Sequence, residues 1–133
     1  MPRYLLLLGS NELAEQRFEQ ALKLLAAQLE ICSAAKAWRS PDRNAAHSAS
    51  TSEIPSYLNV GIEVVTKLGV AELKDVLRSI EARCGRTRPA TLSGICPLDI
   101  DIVLVWDAQG WRWLDHEAEQ QDYARKAFAR WLQ

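Results

Sequence analysis

A chain of 133 residues, 48% hydrophobic and 25% charged, has room for one domain around one core, and this composition excludes a disordered or membrane-embedded chain. The formal net charge of -1 provides no field to attract nucleic acid or anionic lipid, so neither partner is expected. Three cysteines, Cys32, Cys84 and Cys96, are odd in number and lack C-x-x-C spacing, which argues against a disulfide framework or structural zinc and for a reducing, cytoplasmic setting.

Tyr4 to Leu8 is a continuous apolar run, too short for a signal peptide or a membrane span. It reads as a strand covered on both faces that stops at Gly9-Ser10-Asn11, where Ser10 or Asn11 can cap the following helix. From Glu12 to Glu30, Phe18, Ala21, Leu22, Leu25 and Leu29 recur at spacings of three and four, the pattern of an amphipathic helix. Ile31 to Trp38 is a weaker strand. Ser40 to Ser56 is polar and reads as a long loop, either a binding element or a solvated linker, with His47 exposed within it.

Tyr57 to Lys67 alternates as a strand, with Leu58, Val60, Ile62 and Val64 on one face and Asn59 on the other. Val70 to Cys84 is a second helix with Leu73, Val76, Leu77, Ile80 and Cys84 as its apolar stripe and Gly85 at its stop. Arg86 to Cys96 is a second loop. A turn at Asp107-Ala108-Gln109-Gly110 and the aromatic piece Trp111 to Leu114 suggest a hairpin, and Glu117 to Leu132 closes the chain as a helix whose buried side holds Tyr123, Ala127, Phe128, Trp131 and Leu132. The order strand, helix, strand, strand, helix, strand is the ferredoxin-like one, an antiparallel sheet with helices on one face and the other free for ligands.

The chemistry concentrates in Pro97 to Trp106, a β-branched and apolar run carrying Asp99 and Asp101 one residue apart. In a strand these carboxylates share a face, opposite Leu98, Ile100 and Ile102. Paired acids on an apolar strand are costly to bury unless a divalent cation on phosphate oxygens balances them; solvated edge-strand acids are the alternative. The five tryptophans read as core, or else as interface anchors.

As a set, Gly9-Ser10-Asn11 at a strand end, Ser40-Pro41, Tyr57-Leu58-Asn59, Ile80-Glu81 leading to Gly85-Arg86-x-Arg88, and Leu98-Asp99-Ile100-Asp101-Ile102 resemble, in order and spacing over residues 4–106, the 6-hydroxymethyl-7,8-dihydropterin pyrophosphokinases of folate biosynthesis. The resemblance implies one domain over residues 1–133 that transfers the terminal pyrophosphoryl group of ATP to the hydroxymethyl group of a reduced pterin with two Mg2+ ions. It implies Asp99 and Asp101 as metal ligands, Ser40, Pro41, Tyr57 and Asn59 as pterin contacts, and Arg86 and Arg88 as catalytic, nucleotide-facing cations.

Departures from the family pattern fall on the same parts. Leu92, Ser93 and Cys96 stand where the family has arginines and a tryptophan, and replacing a guanidinium by a thiol removes a permanent charge. After Trp106 the match fades: His116 is displaced, Arg125 and Phe128 are candidate remnants with the phenylalanine off by one, and the chain ends sooner. Three readings follow: a pyrophosphokinase, a non-catalytic paralogue that binds pterin or nucleotide, or an interaction module such as a homodimer formed through its aromatic surface.

Overall fold

The computed structural model describes residues 1–40, 56–86 and 95–132. Its framework is β1 (Arg3–Ser10), α1 (Ala14–Ala26), β2 (Glu30–Ala34), β3 (Trp38–Ser40), β4 (Tyr57–Val65), α2 (Val70–Arg83), β5 (Asp99–Asp107), β6 (Gly110–Trp113), α3 (His116–Glu119) and α4 (Asp122–Ala127). The strands form one sheet in the order β2-β4-β1-β5-β6, with β3 also on β4, and every pairing is antiparallel. This is the ferredoxin-like arrangement with β6 added beyond β5.

β1 lies at the centre, and its unbroken apolar run is buried on both faces, as such a run requires. Tyr4, Leu6 and Leu8 meet Phe18, Ala21 and Leu25 of α1, Leu73, Leu77 and Ile80 of α2, and Ile100 and Ile102 of β5. Leu5 and Leu7 point the other way, into a second core with Val103, Leu104, Ala118, Ala124, Ala127 and Phe128. The face expected to be open for ligands is therefore partly covered: the C-terminal segment folds back across it as α3 and α4 rather than as one helix over 117–132. Gln121 is extended between them, and Asp115 caps α3 by accepting from the Ala118 N–H at 3.0 Å. The bend lets small alanines and Phe128 follow the twisted sheet, and a side chain at Gly61 would run into Phe128 and the Ala127 carbonyl.

Other expectations are corrected by local hydrogen bonding. The strand expected over 31–38 is split into β2 and β3, both on β4. Neither Ser10 nor Asn11 caps α1. The N-cap is Leu13, an exposed residue with φ 51°, while the Ser10 hydroxyl bonds to Glu12 and Asn11 reaches across to Cys96. The tryptophans are not central core: Trp106 is 49% exposed, edge-on to Trp111, and Trp111, Trp113 and Trp131 are half-buried at the margin of the second core. Trp38 and Tyr123 carry expectations about side chains outside the described residues, as does His47. No helix among the described residues is long and apolar enough to cross a membrane.

The C-terminal turn is fastened to the sheet through Glu63 of β4, which accepts from Arg3 Nη1 at 2.6 Å, Ser33 Oγ at 3.1 Å and Trp131 Nε1 at 3.1 Å. Burial works against the charged carboxylate, but these three donors outweigh it and hold the Glu63 carboxyl below the usual glutamate range. A depressed carboxyl stabilises the fold above its unfolded value and loses that contribution as pH falls through its folded one. Chemical denaturation should therefore show Glu63→Gln about 1–3 kcal/mol less stable than the parent near neutral pH. That gap should narrow as the pH falls below about 4.3. A gap that does not change with pH would mean that packing, not charge, carries the contact.

Candidate active site

Because β1 is antiparallel to both neighbours, its C-terminal end adjoins the N-terminal ends of β4 and β5. Gly9 pairs with Asn59 on one side and Asp99 on the other, and Leu7 pairs with Gly61 and Asp101. Residues paired across strands share a face, so Asn59, Gly9 and Asp99 form one row and Gly61, Leu7 and Asp101 the next. Strand spacing puts the Asn59 and Asp99 backbones about 10 Å apart across a glycine, and Asp99 and Asp101 about 7 Å apart along β5. Asp99 and Asp101 do share a face, opposite Ile100 and Ile102.

Gly9 lets the Tyr57 ring and the Asn59 amide lie close over its backbone: a Cβ there would touch the Tyr57 ring at 3.4 Å and Asn59 Oδ1 at 3.6 Å. Tyr57 and Asn59 are thus neighbours at the start of β4, with Asn59 buried and its amide donating to the Tyr57 carbonyl at 3.4 Å. Ser40 pairs in the backbone with Tyr57, although its side chain, like Pro41 and Arg88, lies outside the described residues. The structure therefore brings Tyr57, Asn59, Asp99 and Asp101 to one end of one sheet face. It leaves the roles of Pro41 and Arg88 undescribed, along with Leu92 and Ser93.

Arg86 is aimed by the end of α2. Gly85, with φ 99°, turns the chain back, and the Gly85 and Arg86 N–H groups donate to the carbonyls of Ala82 and Glu81 at 3.2 and 3.0 Å. That closure carries the guanidinium to β5, where Nη1 donates to Asp99 Oδ1 at 2.6 Å and lies 3.3 Å from both Glu81 Oε2 and the Leu98 carbonyl. Burial alone would favour the neutral guanidine, but Asp99 and Glu81 reverse this and raise its basicity above the ordinary arginine value.

Glu81, which the sequence offers only as part of the motif Ile80-Glu81 and with no role of its own, is a buried member of this site. It is 1% exposed and its Oε2 accepts the Ile100 N–H at 2.8 Å. β6 pairs only with Leu104 to Asp107, so along the first half of β5 this carboxylate does what a neighbouring strand would otherwise do. The signal was its place in the stripe Leu73, Leu77, Glu81, where helical periodicity calls for an apolar residue.

Cys96 is held by a two-bond clamp: its N–H donates to Asn11 Oδ1 at 2.6 Å, and its carbonyl accepts from the Asn11 N–H at 3.0 Å. Burial pushes its thiol up, and the nearby Asp99 carboxylate adds to this, against the lowering effects of Arg86 and a hydrogen bond with Tyr57. The thiol is protonated at neutral pH and brings no charge to the site.

Asp101 also lines a cleft of 390 Å3 with Val70, Lys74, Arg78, Ile102, Leu114, Asp115 and His116. Two cations, two carboxylates and aliphatic walls together suit a ligand with both charged and apolar parts. His116, expected to be displaced, stands exposed in that lining. The two candidate remnants do not face the carboxylates: Arg125 Nε donates to the Glu119 carbonyl and its guanidinium lies over Trp113, and Phe128 is fully buried in the second core.

Two carboxylates are hard oxygen donors of the kind magnesium selects, and they leave most octahedral positions to phosphate oxygens and water. Among the described residues no third acidic, histidine or cysteine side chain joins them in a group able to hold a metal. The donor set therefore fits a cation bound jointly with a polyphosphate. A family model described as 7,8-dihydro-6-hydroxymethylpterin-pyrophosphokinase (HPPK) matches residues 5–130 of the chain. No curated protein matches it.

Proposed function

The chain belongs to the 7,8-dihydro-6-hydroxymethylpterin-pyrophosphokinase (HPPK) family, and on that premise we propose that it transfers pyrophosphate from Mg-ATP to the hydroxymethyl group of 6-hydroxymethyl-7,8-dihydropterin. The observation that carries this reading is the placing of Asp99 and Asp101 on one face, with Arg86 against the first and a cleft that holds Lys74 and Arg78 against the second.

In this reading the nucleotide lies along the cleft, with Lys74 and Arg78 facing its phosphates and Ile102 and Leu114 against its apolar part. The pterin lies with its ring beside Tyr57 and its amide edge on Asn59. Magnesium, held by Asp99 and Asp101, supplies charge neutralisation on the transferring phosphates. The hydroxymethyl oxygen bonds to the β-phosphorus, the bond from that phosphorus to the α-phosphate oxygen breaks, and AMP departs while the hydroxyl proton passes to water. The chain's own part is positioning and electrostatics: Arg86 at the phosphates, Glu81 fixing both Arg86 and the β5 backbone.

A second reading, a non-catalytic relative that binds pterin or nucleotide, is favoured by Cys96, a neutral thiol where the resemblance places an arginine. Loss of such a cation slows phosphoryl transfer by about three orders of magnitude or more. The expected result is Mg2+-dependent AMP formation from ATP that requires the reduced hydroxymethylpterin, read by chromatography against calorimetric titration of each ligand. Binding of both without AMP would select the second reading, and binding of neither would remove both.

A further inference from the structure

Resting on the reading of Asp99 as a cation ligand, we infer that Arg86 competes with the divalent cation for Asp99 and so couples cation binding to polyphosphate binding. The amino group Nη1 of Arg86 has two protons and three acceptors around it: Asp99 Oδ1 at 2.6 Å, Glu81 Oε2 at 3.3 Å and the Leu98 carbonyl at 3.3 Å. It is oversubscribed, and the three acceptors differ in freedom. Glu81 is shut inside the protein and committed to the Ile100 N–H, and the Leu98 carbonyl is backbone. Asp99 is the member whose side chain is partly exposed, at 24%, and so within reach of an ion from solvent.

The guanidinium thus has a fixed anchor and an exchangeable one. A cation approaching Asp99 must displace Arg86, which still has two acceptors, whereas a polyphosphate offers the same planar fork a bidentate replacement and releases Asp99 to the metal. The pair is only partly exposed, with Arg86 at 22%, so solvent does not screen away the competition. A fixed positive charge against a cation ligand keeps the metal weakly held until nucleotide arrives. This ordering favours joint binding over separate binding of the ion.

The test uses Mn2+ alone, titrated into the full chain and into Arg86→Gln and followed by the electron paramagnetic resonance signal of the free ion. Arg86→Gln is expected to bind Mn2+ about tenfold more tightly than the parent, because a charge that opposes the ion from within hydrogen-bond distance is gone. In the parent, the Arg86 guanidinium 15N resonances should move on saturation with diamagnetic Mg2+, a measurement that needs no variant and stands if Arg86→Gln does not fold. Equal Mn2+ affinity in a folded Arg86→Gln, or Arg86 resonances that ignore Mg2+ in a parent that binds it, overturns the competition and leaves the metal-site reading intact. Absence of any Mn2+ binding in both proteins, with a non-hydrolysable ATP analogue present as well as without it, overturns the metal-site reading and the inference with it.

Discussion

Replacing Asp101 by asparagine is expected to lower Mg2+-dependent AMP formation by about a thousandfold while leaving the fold unchanged. The two side chains have the same shape, and Asp101 sits half-buried where β5 borders the cleft, so no cavity is created. What is lost is one of the two formal charges that hold the cation against the transferring phosphates. Asp99→Asn should lose as much activity and also loosen Arg86, since its charged partner at 2.6 Å becomes a neutral amide. Thermal unfolding is therefore expected to fall in Asp99→Asn, through the weakened bond to Arg86. Activity of Asp101→Asn within tenfold of the parent would show that this carboxylate holds no essential metal.

The largest expected loss of stability lies on the other side of the same face. Phe128 has no exposed surface and its ring packs onto Gly61 of β4. Truncation to alanine is expected to cost about 3–5 kcal/mol, for the lost burial and the space left behind. For a chain of this size that lowers the melting temperature by about 10–20 °C. The reciprocal change, Gly61→Ala, places a Cβ 2.8 Å from Phe128 Cε1 and 2.9 Å from the Ala127 carbonyl, so it is expected to destabilise by overpacking, by about 1–3 kcal/mol. Because both act on one contact, the double variant should be more stable than the sum of the two predicts, since removing the ring makes room for the methyl. Simple additivity in calorimetry would show that Phe128 and Gly61 do not share the contact.

The candidate site was legible wherever its chemistry followed strand periodicity. Asp99 and Asp101 share a face because alternate residues of any strand do, and Tyr57 and Asn59 share theirs for the same reason. The role of Glu81 is not legible in the sequence because a glutamate in a helix is usually solvated, and nothing local shows that the strand beside it lacks a partner for the Ile100 N–H. Asn11 was read as a helix cap because its short side chain suits that job next to a helix. It serves instead a backbone group 85 residues away, at Cys96. The C-terminal helix was read as continuous because its apolar spacing allows it, whereas the break at Gln121 serves contact with a curved sheet.

By itself the sequence determined the ferredoxin-like order of the framework, though not the split of β2 from β3 or of α3 from α4, along with the two-sided burial of β1, the apolar stripes of α1 and α2, and the shared face of the paired aspartates. All of these follow from side-chain period and turn chemistry within a few residues of chain. Only the tertiary structure decided that Phe128 packs onto Gly61 of β4, that Arg86 is divided between Asp99 and Glu81, and that the extra residue at Val103 turns Leu104 to the same face. Those outcomes depend on which distant groups meet across a sheet, and hydrogen-bond satisfaction and packing between elements, not local periodicity, settle that choice.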